Sequence, residues 1–128
     1  VIVSRTHDGL TETFDGELGN AVWRCLGRRG MLFSECESFD FVRLAPGAAL
    51  DERGRGDIEE AWFVLRGSGE FVADGEAPLQ LREGELVLCS HGTGGRWRAT
   101  ADSPLELLVL ALMPAAVSRR LPRRTPAD

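Results

Sequence analysis

Arg53 and Arg55 stand two residues apart in the charged stretch "ALDERGRGDIEE". In an extended segment, side chains at i and i+2 leave on the same face. Two guanidiniums side by side repel each other, and their planar forks match the oxygens of a carboxylate, phosphate, sulfate or enolate. The pair therefore reads as an anion site. It reads equally as part of a solvated loop, because Asp51, Glu52, Asp57 and Glu59 are close in sequence and exposed ion pairs are common and weak. Glu60 comes next, and the apolar run Ala61 to Leu65 follows it.

Something must hold these residues in place, and the chain offers short strands. Apolar runs recur at Ala21–Leu26, Met31–Cys36, Phe39–Leu44, Ala61–Leu65, Gly69–Ala73, Leu79–Leu81, Glu85–Cys89, Gly95–Thr100 and Leu105–Met113, with turn residues between them. Asp74-Gly75 is a hairpin-turn dipeptide, since both residues tolerate positive φ. No window sustains a helical period over three turns. The pattern predicts an all-β sandwich or barrel. Residues 1–20 read as an irregular lead-in with room for one short strand, residues 21–115 as the barrel, and residues 116–128 as a basic, flexible tail with two prolines.

The 128 residues fit one domain, and 43% hydrophobic content supports one core. The net charge of -5 argues against nucleic acid, whose partners carry a basic excess. The three cysteines form no CxxC pair and read as reduced thiols of a cytoplasmic protein. The first residues do not read as a signal peptide. The longest apolar run, Leu105 to Met113, is too short to span a bilayer, so no membrane role is expected.

The spacing of the central residues resembles the cupin superfamily. The first cupin motif runs Gly, five residues, His-x-His, three or four residues, Glu, six residues, Gly. Here Gly47, Arg53, Arg55, Glu60 and Gly67 keep that spacing. The second motif runs Gly, five residues, Pro-x-Gly, two residues, His, three residues, Asn. Gly84, Ser90, Gly92, Gly95 and Ala99 occupy those places. The resemblance covers about residues 39–113. It implies a single-domain cupin, a jelly-roll antiparallel β-barrel whose His-x-His, Glu and His would hold a divalent metal. Only Glu60 is kept. Arginine offers no lone pair at working pH and glycine has no side chain, so no metal and no cofactor are expected. Glu60, Cys89 and His91 could in principle rebuild a metal set. Cys89 as a core thiol and His91 as a solvated turn residue is the simpler reading, since metal sites usually take three or more well-placed ligands.

If the family geometry holds, Arg53, Arg55 and Glu60 face the barrel interior, and alternation brings Trp62, Val64, Trp97 and Ala99 inward with them. Gly95 and Ala99 would then leave a roomy cavity with indole walls, unless the two tryptophans simply fill the core. The resemblance points to a metal-independent enzyme acting on a small anionic or enolisable substrate, aromatic or cyclic in shape. Its reaction would be of cyclase, isomerase or dehydratase type, as in natural-product tailoring. Arg53 and Arg55 would stabilise a developing oxyanion, Glu60 would move a proton with His91 as a second candidate, and Trp62 and Trp97 would hold the ring. A non-catalytic binding or sensing cupin, and a degenerate structural barrel, stay open. Small cupins usually form homodimers, and Phe39, Phe41, Phe63 and Leu65 could supply the face.

Overall fold

In the last strand of the chain every second residue has vanished from the surface. Leu105, Leu107, Val109 and Ala111 are all 0% exposed, while Glu106, Leu108 and Leu110 between them are half-buried. This period of two is the mark of a strand with one face on a core, and it recurs along the chain. The computed structural model describes residues 3–7, 11–14, 19–29, 31, 36–52, 58–90 and 92–120.

Among the described residues ten strands follow in order: β1 Thr11–Phe14, β2 Ala21–Arg28, β3 Cys36–Leu44, β4 Ala49–Glu52, β5 Glu59–Arg66, β6 Ser68–Ala73, β7 Leu79–Arg82, β8 Leu86–Cys89, β9 Gly95–Ala99 and β10 Leu105–Leu112. One short helix, α1 Ala115–Ser118, comes after Pro114, a residue suited to a first helical turn. All described pairings are antiparallel. One sheet has the order β1-β2-β3-β10-β5-β8 and the other β4-β9-β6-β7. They enclose one core in a jelly-roll barrel, as the strand pattern leads one to expect.

Most expected strands are present within a residue or two. Of the run Met31–Cys36, only Cys36 lies in a strand, Met31 lies at a bend, and residues 32–35 fall outside the described residues. β4 was not expected, because its "ALDE" runs into the charged stretch. It forms because Ala49 to Glu52 pair with Arg98 to Gly95, and Asp51 meets Arg96 at 2.6 Å. Asp74-Gly75 turns the β6–β7 hairpin as expected, with Gly75 at φ 76° and Glu76 N–H donating to Ala73 O at 3.0 Å. Of the tail, residues 121–128 lie outside the described residues.

The interior of the larger sheet changes character from one end to the other. Cross-strand register sets the rows. The first row holds Ala21, Leu44 and Leu105, and the second Trp23, Val42, Leu107 and Val64. The third holds Cys25, Asp40, Val109, Trp62 and Val87, and the last Arg28, Ser38, Ala111, Glu60 and Cys89. One end is a closed apolar plug. The other is a polar mouth.

Candidate functional site

The polar mouth is where both sheets end together. β4 stops at Glu52 and β5 starts at Glu59, while β8 stops at Cys89 and β9 starts at Gly95. Two short connections thus tie the last row of the larger sheet to Glu52, Gly95 and Ala73, which share a register in the smaller one.

Two carboxylates are buried here, Glu60 at 6% exposure and Asp40 at 4%. Each is oriented by a donor two residues away on its own strand. Trp62 Nε1 donates to Glu60 Oε2 at 3.0 Å, and Ser38 Oγ donates to Asp40 Oδ2 at 3.0 Å. The i, i+2 spacing that puts each pair on one face is the whole local reason. A buried carboxylate demands such partners, because leaving one of its bonds unmade costs about 1–3 kcal/mol.

Cys25 stands opposite Asp40. Burial pushes its thiol up from the usual range, and the charge of Asp40 pushes further, against a smaller downward pull from Arg28. Cys36 is raised too, by burial and then by Asp40 and Glu37. Neither is a ready thiolate nucleophile.

A bulge brings one more charge into the mouth. The β2–β3 register slips between Cys25 and Gly27, so Leu26 is the extra residue. Without it Arg28 would fall on the outer face. With it Arg28 pairs with Ser38 and joins the last inner row, which is how bulges re-aim side chains. Arg28 is the only basic residue of these inner rows among the described residues.

Deeper in, aromatic rings pack together. Trp62 lies 5.7 Å from Trp23 in an edge-on contact and 5.7 Å from Trp97, and Trp97 lies 5.0 Å from Phe71. The expected inward positions of Trp62 and Trp97 are met, and both are 0% exposed. The expected room beside Gly95 and Ala99 is not there. A Cβ on Gly95 would come within 2.6 Å of Phe71 Cζ, so the phenyl ring occupies the space that the missing side chain leaves. Ala99 is itself 2% exposed. Among the described residues the two indoles therefore pack against other rings and the filled space at Gly95. One polar atom among them stands out: Trp97 Nε1 is buried and finds no acceptor among the described residues.

Of the residues singled out by sequence, Glu60, Trp62 and Trp97 are gathered in this interior. Arg53, Arg55 and His91 lie outside the described residues. Sequence reasoning missed Ser38, Asp40, Cys25 and Arg28. The alternation Ser38, Asp40, Val42, Leu44 was available to place Asp40 inward.

The donor set does not fit the metal centre that the motif spacing implies. Gly95 contributes no ligand atom and its neighbourhood is filled by Phe71. Among the described residues no group of three His, Cys, Asp or Glu converges to hold an ion. Cys89 does face Glu60 directly across β8 and β5, but that is two groups, not three.

Comparison with known proteins agrees with the architecture. A family model described as "Cupin domain" matches residues 40–111. The crystal structure of a predicted oxalate decarboxylase from Thermotoga maritima superposes with TM-score 0.77 at 18% identity, covering 88% of this chain and 100% of that one. A Cupin 2 conserved barrel domain protein from Salinispora arenicola gives 0.65 at 21% identity, over 78% of this chain and 81% of that one. KdgF from Halomonas sp. gives 0.65 at 15% identity, over 91% and 98%. At these identities the likeness is one of fold. No curated protein matches the chain. No helix among the described residues is long and apolar enough to cross a membrane.

Proposed function

We propose that this chain, which belongs to the cupin domain family, is a metal-independent enzyme acting on a small anionic or enolisable substrate at the polar mouth of its barrel. The observation that carries the reading is Glu60. It is a buried carboxylate, and Trp62 fixes one of its oxygens, which sets the direction of the other, Oε1. A carboxylate so held can take a proton from carbon beside a carbonyl and return it elsewhere, the common step of isomerases, cyclases and dehydratases. Arg53 and Arg55, in the connection between β4 and β5, would supply positive charge to the oxygen on which the negative charge develops. His91, in the connection between β8 and β9, is the second proton-transfer candidate. A cytoplasmic enzyme of natural-product tailoring is the setting this chemistry suggests.

The test is deuterium exchange. A panel of small β-keto and enolic acids is incubated with the protein in D2O, and loss of the exchangeable C–H is followed by proton NMR. The native chain should accelerate exchange for at least one compound, and Glu60→Gln should bind that compound and lose the acceleration. Equal exchange in both proteins would remove Glu60 from the mechanism.

One observation favours a second reading. The three indoles and Phe71 fill the interior that a ligand would enter. A barrel whose role is interaction rather than chemistry would look like this, and binding without exchange, or no binding, would turn the argument that way. Either reading is compatible with a homodimer. The outer face of the larger sheet carries two apolar rows, Phe39–Leu110–Ala61–Leu88 and Phe41–Leu108–Phe63–Leu86. Phe39, Leu86 and Leu88 are exposed and Phe41 is covered, so Phe41 adds little to such a face.

A further inference from the structure

Two tryptophans of the interior are alike in burial and unlike in bonding. Trp62 and Trp97 are both 0% exposed and their rings lie 5.7 Å apart. Trp62 gives its N–H to Glu60. Trp97 gives its N–H to no acceptor among the described residues. A core that needed only an aromatic filler at position 97 would be served better by phenylalanine, which has no donor to strand. Indole is worth its unmade bond where an acceptor arrives from outside.

Phe71 shows where such an acceptor could be accommodated. It is the register partner of Trp97 across β6 and β9, and its ring lies against Trp97 and over Gly95, at the mouth end of β9. Only glycine at position 95 allows the ring to lie there, since a Cβ would come within 2.6 Å of it. A phenyl ring holds its place by contact alone, so moving it breaks no hydrogen bond. A flat ligand of similar size restores the contacts that the phenyl gives up.

We propose that the Trp97 N–H is the donor for an oxygen of the ligand, and that the Phe71 ring fills the ligand's place until the ligand displaces it. The ligand class is a flat ring bearing a carbonyl, carboxylate or enolate oxygen. This rests on the reading above that the barrel takes a small oxygen-bearing molecule, and it adds the group that would recognise the oxygen.

The experiment follows the indole N–H resonances of Trp23, Trp62 and Trp97 in the 15N-labelled full chain, assigned by triple-resonance NMR. The probes are benzoate, acetophenone and 4-hydroxycoumarin, with ethylbenzene as the hydrocarbon control. The Trp97 proton should lie upfield of the Trp62 proton in the free protein, and should move downfield with at least one oxygen-bearing probe but not with ethylbenzene. Trp97→Phe should weaken that probe roughly tenfold, the worth of one hydrogen bond. Phe71→Leu should tighten it, because less must be displaced. A probe that binds, moves the Trp62 resonance and leaves Trp97 unmoved would overturn the donor role and leave the small-molecule reading standing. Probes that move none of the three resonances would take both down. The resonance measurement uses the unaltered protein, so it decides the matter even if a variant fails to fold.

Discussion

Trp62 donates its indole N–H to the carboxylate of Glu60 at 3.0 Å, two residues earlier on the same strand, with both side chains buried. The bond ties one of the two fully buried tryptophans to the one carboxylate of the last inner row. Trp62→Phe should therefore cost more than lost packing. It leaves a buried carboxylate short of a donor, worth about 1–3 kcal/mol. Urea denaturation of Trp62→Phe, Glu60→Gln and the double variant measures the coupling. The single Glu60→Gln change should be mild, because an amide oxygen can still accept the indole N–H. Additive effects of the two changes would mean that the carboxylate holds the indole no better than an amide does.

Gly95 and Phe71 should be coupled in the same way. Gly95→Ala places a methyl group within 2.6 Å of the phenyl ring. Overpacking of this kind costs about 1–3 kcal/mol. The cost should fall in part when Phe71 is first shortened to Leu, with a remainder from the Val72 carbonyl oxygen 2.9 Å from the same Cβ. A thermal melt of the two single variants and the double variant checks it. A full penalty for Gly95→Ala that persists beside Phe71→Leu would place the strain on the β9 backbone, beside the Val72 carbonyl, instead of on the ring.

How much of this was legible beforehand depends on the kind of contact. Strand alternation is local, so Glu60 and Trp62 on one face, and Trp97 and Ala99 on another, followed from spacing alone. The interior position of Asp40 is equally readable, from the alternation of Ser38, Asp40, Val42 and Leu44. Arg28 was not readable, because its face depends on one extra residue, Leu26, and nothing in "RCLGRR" marks which residue bulges. The filled space at Gly95 was hidden for another reason. Its occupant, Phe71, comes from a neighbouring strand 24 residues away in sequence, and only the register of β6 on β9 brings them together. β4 was hidden because charge masked its pairing.

The thiols give a pH signature. Cys25 and Cys36 are both raised above the ordinary 9.0 by burial first and by Asp40 next. A thiol whose folded pKa is raised loses its proton first in the unfolded chain. Stability is thus full below about 9 and falls as pH climbs from there toward the folded values. Asp40→Asn removes one upward cause and should make this alkaline loss smaller. The same variant should react faster with iodoacetamide at pH 8.5, just below that ordinary value. Unchanged alkylation in Asp40→Asn would show that burial alone protects the sulfurs.

The purified chain should carry no stoichiometric transition metal. Among the described residues no group of three His, Cys, Asp or Glu converges on an ion, and Glu60 already accepts a hydrogen bond from Trp62. Elemental analysis after gel filtration without chelator measures this directly. About one zinc, iron, nickel or manganese per chain would contradict it, and would direct attention to Glu60 and Cys89, which face each other across β5 and β8.

The outer face of the larger sheet supplies the last test. Leu88 is 74% exposed, Leu86 54%, Leu112 41% and Phe39 37%, all on one side of four adjacent strands. The half-buried Leu108, Leu110, Phe63 and Leu65 lie among them on the same side, and the row beyond is charged, with Glu106 between Arg43 and Arg66. An apolar field of that extent with a polar border is unusual for a surface that faces only water. A two-fold dimer would cover it with its own copy, since a stable interface needs about 800 Å² per partner and strand rows of this kind are self-complementary. Sedimentation velocity should show a dimer for the native chain. Leu86→Glu with Leu88→Glu should give a folded monomer, because two buried charges without partners cannot be offset by the remaining contacts. Tryptophan emission should stay native in that variant, since Trp62 and Trp97 lie on the opposite face of the sheet and in the core. A native chain that sediments as a monomer, or a double variant that remains a dimer, would move the self-association surface elsewhere or abolish it.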